Sequence, residues 1–205
     1  GIVDPDGGSL EWACRDWRLL TDAPLTIYRD LTEACLEEAV DAIVIATPNH
    51  THRDVLHAVA ASHKPVLLEK PMATTLADAM DIVSLARDYP AVIQLGMQYR
   101  FKAQYVDALQ AVVAQSTLGQ VKTVAMSEYR PPFLDKVAQW NKFNRKSGGT
   151  LVEKCCHYFD LINVVAQSRA RRVYASGGRA VNFLDFDWQG EPSDIDDHAM
   201  VIIDY

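Results

Sequence analysis

Asp41-Ala42-Ile43-Val44-Ile45-Ala46-Thr47-Pro48-Asn49 decides the class of fold. Its centre, Ala42 to Ala46, is an unbroken apolar run, as expected for a strand covered on both faces in a parallel sheet, and Thr47-Pro48-Asn49 ends it. Toward the C-terminus a helix is expected from about Thr51 to Ser62, with Val55, Leu56 and Val59 on its apolar stripe. Pro65 introduces the strand Val66-Leu67-Leu68, which ends in Glu69-Lys70-Pro71. Thr75 and Asp78 have capping-box spacing and open a helix expected to turn Met80, Val83 and Leu85 inward. A strand at Val92 to Gly96 and a helix at Tyr105 to Ala114 follow. Toward the N-terminus, a helix over Leu31 to Ala39, a short strand at Leu25 to Tyr28, a helix around Leu10 to Leu20 and a strand at Ile2-Val3 continue the rhythm. Strands alternating with helices are the pattern of βαβ units and a doubly wound parallel sheet.

After Gly119 the rhythm changes. Val121 to Tyr129 reads as a longer alternating strand, and 131–149 as a loop holding Trp140, Asn141, Lys142, Asn144 and Arg145. Loops of that length are usually functional or mobile. Gly148-Gly149 then releases a helix expected from Thr150 to Gln167, followed by strands at Arg172 to Ala175 and His198 to Tyr205. The fold class expected is therefore α/β plus α+β: part of a doubly wound parallel sheet over 1–118, then part of an α+β unit with an open, mainly antiparallel sheet over 119–205. The apolar start without Met and the strand-like end suggest a segment of a longer polypeptide.

Composition narrows the function. Hydrophobic residues make up 49% and charged residues 23% of the 205, which fits a chain that folds rather than a disordered one. The net charge is -7 and no Lys/Arg-rich block occurs, so nucleic acid and anionic membrane are poor partners. The apolar runs fall far short of the ~20 residues of a membrane helix. Cys14, Cys35, Cys155 and Cys156 form no C-x-x-C pair, and Cys155 and Cys156 are adjacent, which strains a bridge between them. A reducing, cytoplasmic setting fits.

Three groups could carry chemistry. Asp4 ends the first strand, where an acidic side chain in a doubly wound sheet accepts hydrogen bonds from the adenine ribose; a strand-end Asp before Pro is also an ordinary turn starter. Thr47-Pro48-Asn49 and Glu69-Lys70-Pro71 lie just past the carboxyl ends of apolar strands, where open parallel sheets bind ligands. Lys70 there can donate to a substrate oxygen and relay a proton, or it can be a solvated partner of Glu69. His50 and His52 could suggest a metal, but two histidines at a helix start also serve as capping and surface residues. Glu153, His157 and Asp160 are spaced four and three apart, along one face of the expected helix. An imidazole is a competent general base near neutrality and a neighbouring carboxylate can orient it. The same spacing fits half a zinc site, without the other ligands, or a surface pair.

Together, A-T-P-N-H-T-H at Ala46 to His52, E-K-P at Glu69 to Pro71, G-M-Q-Y-R-F at Gly96 to Phe101 and G-G-T-L-V-E-K-C-C-H-Y-F-D at Gly148 to Asp160 resemble the glucose-fructose oxidoreductase/inositol dehydrogenase (Gfo/Idh/MocA) family. Order and spacing match over nearly the whole chain. The resemblance implies a partial NAD(P)-binding Rossmann domain over 1–118 and a partial substrate and oligomerisation domain over 119–205. It makes Lys70, His157 and Glu153 catalytic, with Glu153 standing where the family usually has Asp. Asp4, Thr47, Pro48, Asn49, His52, Glu69 and Lys70 would line the cofactor, and Arg100, Trp140 and Asp160 the substrate. No metal is implied. The cofactor would be NAD or NADP, with Asp4 favouring NAD because its charge disfavours the extra phosphate.

The expected activity is hydride transfer between nicotinamide and a sugar, an inositol-like polyol or a related hydroxyl or carbonyl compound, in a homo-oligomer joined through the C-terminal sheet. The alternatives are an NAD-dependent glycosidase of the same fold and a dinucleotide-binding regulator without catalysis; Lys70 and His157 together speak against the second. The phosphate-cradling G-x-G-x-x-G does not occur in these residues, so little cofactor binding is expected of them alone.

Overall fold

A computed structural model describes residues 1–205. In the first half, β1 (Ile43–Ile45), β2 (Val66–Leu68) and β3 (Ile93–Leu95) form a parallel sheet in that order. Ile43, Val66 and Ile93 share one row and Ile45, Leu68 and Leu95 another. Since side chains alternate across a strand, these rows point to one face. Helices α3 (His52–Ala60) and α4 (Leu76–Asp88) cover that face, so that Leu56, Val59 and Ile82 close over Ile45, Val66 and Leu68 in one apolar core. Each fully buried aliphatic side chain there contributes on the order of 1.5–3 kcal/mol.

The middle row departs from expectation. Val44 is 63% exposed and Leu67 38%, so β1 is covered on one face only. α4 is also rotated relative to its expected facing. Ile82 is buried and Leu85 and Tyr89 pack on the core, whereas Met80 and Val83 are exposed. Thr75 caps α4 by accepting from Asp78 N at 3.1 Å, and its hydroxyl donates to Asp78 Oδ2 at 2.7 Å. The shorter Asp thus meets the Thr side chain instead of the Thr backbone amide that Glu reaches in a full capping box.

Before β1 lie α1 (Gly7–Leu20) and α2 (Leu31–Leu36), capped by Asp6 and Asp30. The expected strands at Ile2-Val3 and Leu25–Tyr28 reduce to a single parallel bridge, Ile2 with Ile27, which does not pair with β1.

The second half is built differently. Val121 to Tyr129 forms no strand. Alternation specifies which face a strand would bury, but a strand also needs a ladder partner, and β4 (Arg172–Gly178) and β7 (His198–Asp204) pair only with each other, antiparallel from Arg172 opposite Asp204 to Gly178 opposite His198. A small hairpin, β5 (Asp187–Trp188) with β6 (Glu191–Pro192), turns through Gln189 and Gly190, both at positive φ.

The 131–149 stretch is not an open loop. It holds a 3-10 segment, Val137–Lys142, and α6 (Asn144–Ser147). The expected helix from Thr150 to Gln167 is two helices, α7 (Gly149–Glu153) and α8 (Cys156–Ala166), broken at Lys154-Cys155. Gly148 and Gly149 both have positive φ, and a Cβ on Gly149 would lie 2.2 Å from Asn144 Oδ1, so only glycine admits this turn. In the chemical region between, a 3-10 turn at Gln98–Phe101 leads into α5 (Ala103–Leu109). No helix is long and apolar enough to cross a membrane.

Candidate active site

The parallel sheet delivers three loops to one edge. Thr47-Pro48-Asn49 follows β1, Glu69-Lys70-Pro71 follows β2 and Gly96 follows β3, and the carboxyl edge of such a sheet is where open α/β folds hold ligands. Lys70 N donates to Glu69 Oε2 at 3.1 Å, but the Lys70 ammonium ignores Glu69. It crosses to the second half instead, donating to the Glu153 carbonyl at 3.1 Å and to Glu153 Oε1 at 3.3 Å. Asn49 Nδ2 donates to Glu153 Oε2 at 2.5 Å and to the Ser147 carbonyl at 3.0 Å. Lys154 Nζ also reaches Glu153 Oε1, at 3.2 Å. The Glu153 carboxylate, 5% exposed, is thereby shared by two ammonium groups and an amide drawn from both halves. A buried charge left without such partners would be costly, so each partner fixes the others.

His157 opens α8 beside this cluster. It is 4% exposed, and its ring stacks on Tyr99 with centroids 4.0 Å apart and planes 7° from parallel. Nδ1 is buried without a hydrogen-bond partner, which leaves Nε2 as the ring nitrogen open to a ligand. Burial, then the charges of Lys70 and Lys102, lower the imidazole pKa to about 4, with Asp160 opposing them, so the ring is neutral at pH 7. Burial likewise lowers the Lys154 pKa. It pushes the Cys156 thiol up to about 11, which leaves no reactive thiolate beside His157 at neutral pH.

The break before α8 separates three residues expected on one helix face. Glu153 ends α7 and turns to Lys70, while His157 and Asp160 ride on α8. Asp160 is engaged by Arg100, which donates to its two oxygens at 2.6 and 2.5 Å. This forked pair consumes the geometry expected for substrate binding and holds α8 to the turn at Gln98–Phe101.

His52 requires a correction. It was expected to line the cofactor, but it is completely buried, with Nδ1 2.8 Å from the Pro71 carbonyl and Nε2 3.0 Å from the Thr47 carbonyl. An uncharged imidazole carries one N–H and can donate to only one of these two carbonyls, so His52 packs between the loops after β1 and β2, where it is closed off from any ligand. Thr47 Oγ1 lies 2.8 Å from Thr51 Oγ1, which also meets the Pro48 carbonyl at 2.8 Å. Asp4 Oδ1 accepts from Asp6 N at 2.8 Å, the turn-starting use of a strand-end Asp, while its Oδ2 makes no hydrogen bond. Trp140 sits half-buried in the 3-10 segment before α6. Tyr99 and Lys154 were not singled out from sequence, although both lie inside the motifs quoted above; spacing marks a stacked ring or a second lysine no differently from a surface residue.

The residues present fit a ligand-binding sheet edge of the dinucleotide-binding kind. Polar loops converge on one sheet edge, and at Gly96 a Cβ would come within 3.4 Å of Glu69 Cα, so the two loops pack closely there. No glycine-rich phosphate loop stands among the 205 residues.

This edge, joined to an α+β unit that contributes a carboxylate and an imidazole, defines a two-part chain of the dinucleotide-fold class. Residues 1–97 match the family model described as an oxidoreductase family with NAD-binding Rossmann fold, and residues 106–205 match the GFO/IDH/MocA C-terminal domain. The chain belongs to the Gfo/Idh/MocA family. It is 25% identical over 177 residues to the myo-inositol 2-dehydrogenase of Thermotoga maritima, covering 85% of this chain and 49% of that protein. With the inositol 2-dehydrogenase of Rhodococcus jostii it shares 37% identity over 96 residues, 46% of this chain and 26% of that one. A levoglucosan dehydrogenase solved in complex with NADH and levoglucosan has the same fold, with a TM-score of 0.75 at 20% identity, covering all of this chain and 54% of that one. The chain spans less than half the length of these two curated relatives.

Proposed function

We propose that the polypeptide containing this chain is an NAD(P)-dependent oxidoreductase that transfers a hydride between nicotinamide and the CH-OH carbon of a sugar, an inositol-like polyol or a related compound. The observation that carries this reading is the junction of Lys70 and Asn49 from the sheet edge with Glu153 from the second half, beside a neutral imidazole at His157. The family membership and the inositol and levoglucosan substrates named for its relatives support it.

Bound nicotinamide supplies the hydride acceptor or donor. This chain supplies the rest. Lys70, tethered by Glu153, donates to the substrate oxygen and holds it in place. His157 Nε2, neutral at pH 7, takes the hydroxyl proton as the substrate carbon is oxidised and returns it in reduction. Glu153 fixes the Lys70 ammonium and Asn49 fixes Glu153. Thr47, Pro48, Asn49 and Glu69 form the cofactor-side wall, and Trp140 a substrate-side wall. The free oxygen of Asp4 favours NAD over NADP, since a second phosphate there would meet a carboxylate.

Tyr174, Met200 and Ile202, exposed on one face of the β4–β7 ribbon, support a homo-oligomer formed through that sheet. Four unbridged cysteines support a reducing, cytoplasmic setting. The test is a screen of polyols and sugars with the intact polypeptide and NAD or NADP, followed by absorbance of the reduced nicotinamide. Net reduced cofactor, one per substrate oxidised, is expected. Glycoside cleavage without net reduction, or binding with no turnover, would overturn the reading.

A further inference from the structure

A catalytic imidazole is ordinarily oriented through its far nitrogen, which donates to a carboxylate or a carbonyl. His157 has no such partner: its Nδ1 is buried and makes no hydrogen bond. What touches the ring is Tyr99, parallel within 7° at 4.0 Å. The other face of Tyr99 is also occupied. Lys102 Nζ lies 3.8 Å from its centroid, and since two groups within about 4 Å of one centroid cannot share a face, the ammonium sits opposite the imidazole. Tyr105 stacks on Tyr99 at 5.3 Å, and Tyr158 meets it edge-on at 5.8 Å. Tyr99 is therefore contacted on several sides, and His157 stacks on a ring that its neighbours hold in place.

We infer that Tyr99, backed by Lys102, is a positioning residue for His157: the ring stack, in place of a hydrogen bond to Nδ1, sets the plane of the imidazole so that Nε2 faces the reacting oxygen. The inference rests on the proposed role of His157 and adds the device that orients it. Lys102 belongs to the device because its charge on the ring stack is felt by the imidazole, together with Lys70 and Lys154 and against Asp160. Removing the Lys102 charge should therefore make His157 easier to protonate without removing any group that touches substrate.

The test pairs a spectrum with kinetics, using the intact polypeptide. In the imidazole-labelled protein, the ring protons of His157 should be shifted upfield by the Tyr99 ring current. Tyr99→Leu should abolish that shift and lower kcat roughly 10- to 100-fold with little change in KM, the scale of a misplaced catalytic group. Tyr99→Phe, which keeps the ring, should restore the upfield shift and bring kcat back to within about 3-fold of wild type. Lys102→Gln, an exposed substitution that leaves the fold intact, should move the His157 titration upward from about 4. Should Tyr99→Leu fail to fold, Tyr99→Met and Lys102→Gln read the same two quantities. Equal losses in the Phe and Leu variants, or an unchanged His157 spectrum in Tyr99→Leu and Lys102→Gln, would overturn the inference. If instead His157→Asn retains full turnover while the spectral changes appear as described, the assigned chemistry of His157 falls and the stack stands.

Discussion

The two halves of this chain bury apolar and polar residues in different proportions, the first adding Asn49 and His52 to a mainly apolar set. In the first, Ile45, Leu56, Val59, Val66, Leu68 and Ile82 form a continuous apolar core between a parallel sheet and two helices. In the second, the buried apolar residues are Phe143, Leu161 and Ile195, and beside them Asn141, Lys142, Ser147, Glu153, His157 and Ser193 are buried polar or charged groups. Its strands β4 and β7 leave Val173, Tyr174, Met200 and Ile202 more than half exposed. The contrast separates two tasks. Apolar burial underlies the sheet edge, whereas the second half aims Glu153 at that edge and uses Asn141, Lys142 and Ser193 to hold its own 131–149 stretch together. The contacts across the seam reflect this: Asn49 to Ser147 and Glu153, Lys70 to Glu153, Arg100 to Asp160 and Tyr99 on His157.

The sharpest way to break this division is at the seam. Lys70→Ala should lower kcat roughly 10²- to 10⁴-fold, the range for loss of a group that assists proton transfer, as read by steady-state kinetics. Unchanged turnover would move the chemistry elsewhere. Within the first half, Leu56→Ala should cost about 2–5 kcal/mol of stability, measured by denaturant unfolding. Val181→Ser, at a loop position of the second half that is 77% exposed and lies off the β4–β7 ribbon, should cost no more than about 0.5 kcal/mol in the same measurement. Comparable losses at the two positions would erase the contrast.

The pH dependence sharpens it further. The His157 pKa is lowered, first by burial and then by Lys70 and Lys102, to about 4 in the folded chain. The unfolded chain, at ~6.5, binds the proton more readily across the window from there down to 4. Stability therefore rises with pH between about 4 and ~6.5, and acidification through that window destabilises the chain through this group. His157→Asn should flatten that part of a stability-versus-pH curve, and the acid limb of kcat/KM should fall near 4 rather than 6.5. The smallest effect is expected at the clamp: Asp160→Asn should cost about 0.5–1 kcal/mol, because its partner Arg100 is about half exposed to solvent, and a thermal melt reads the loss.

Much of the first half was legible because its signals are local. The run Ala42 to Ala46 and the breaker Thr47-Pro48 place β1, and the stripe Val55, Leu56 and Val59 faces the core as its spacing indicates. α4 was legible as a helix but not in its facing, because Leu76, Met80 and Val83 make one apolar stripe and Ile82, Leu85 and Tyr89 another. The choice between them comes from the sheet. The helix break at Lys154-Cys155 leaves no local mark, since 150–166 contain neither Gly nor Pro. Its consequence is that Glu153 is released toward Lys70, 83 residues away. Lys70, Glu153 and His157 were readable as a constellation through the family resemblance. That Lys70 is paired with Glu153 and not with the adjacent Glu69, and that His52 is packed between the loops, depends on contacts that sequence spacing does not encode.

The central claim is that Lys70 from the sheet edge and Glu153 from the second half act as one unit. A double-mutant cycle on kcat/KM with Lys70→Ala, Glu153→Gln and the double variant tests it directly. The expected result is strong non-additivity, with the double variant losing little more than Lys70→Ala alone, because the carboxylate acts through the ammonium it holds. Losses that multiply would contradict the claim and make the two residues independent contributors.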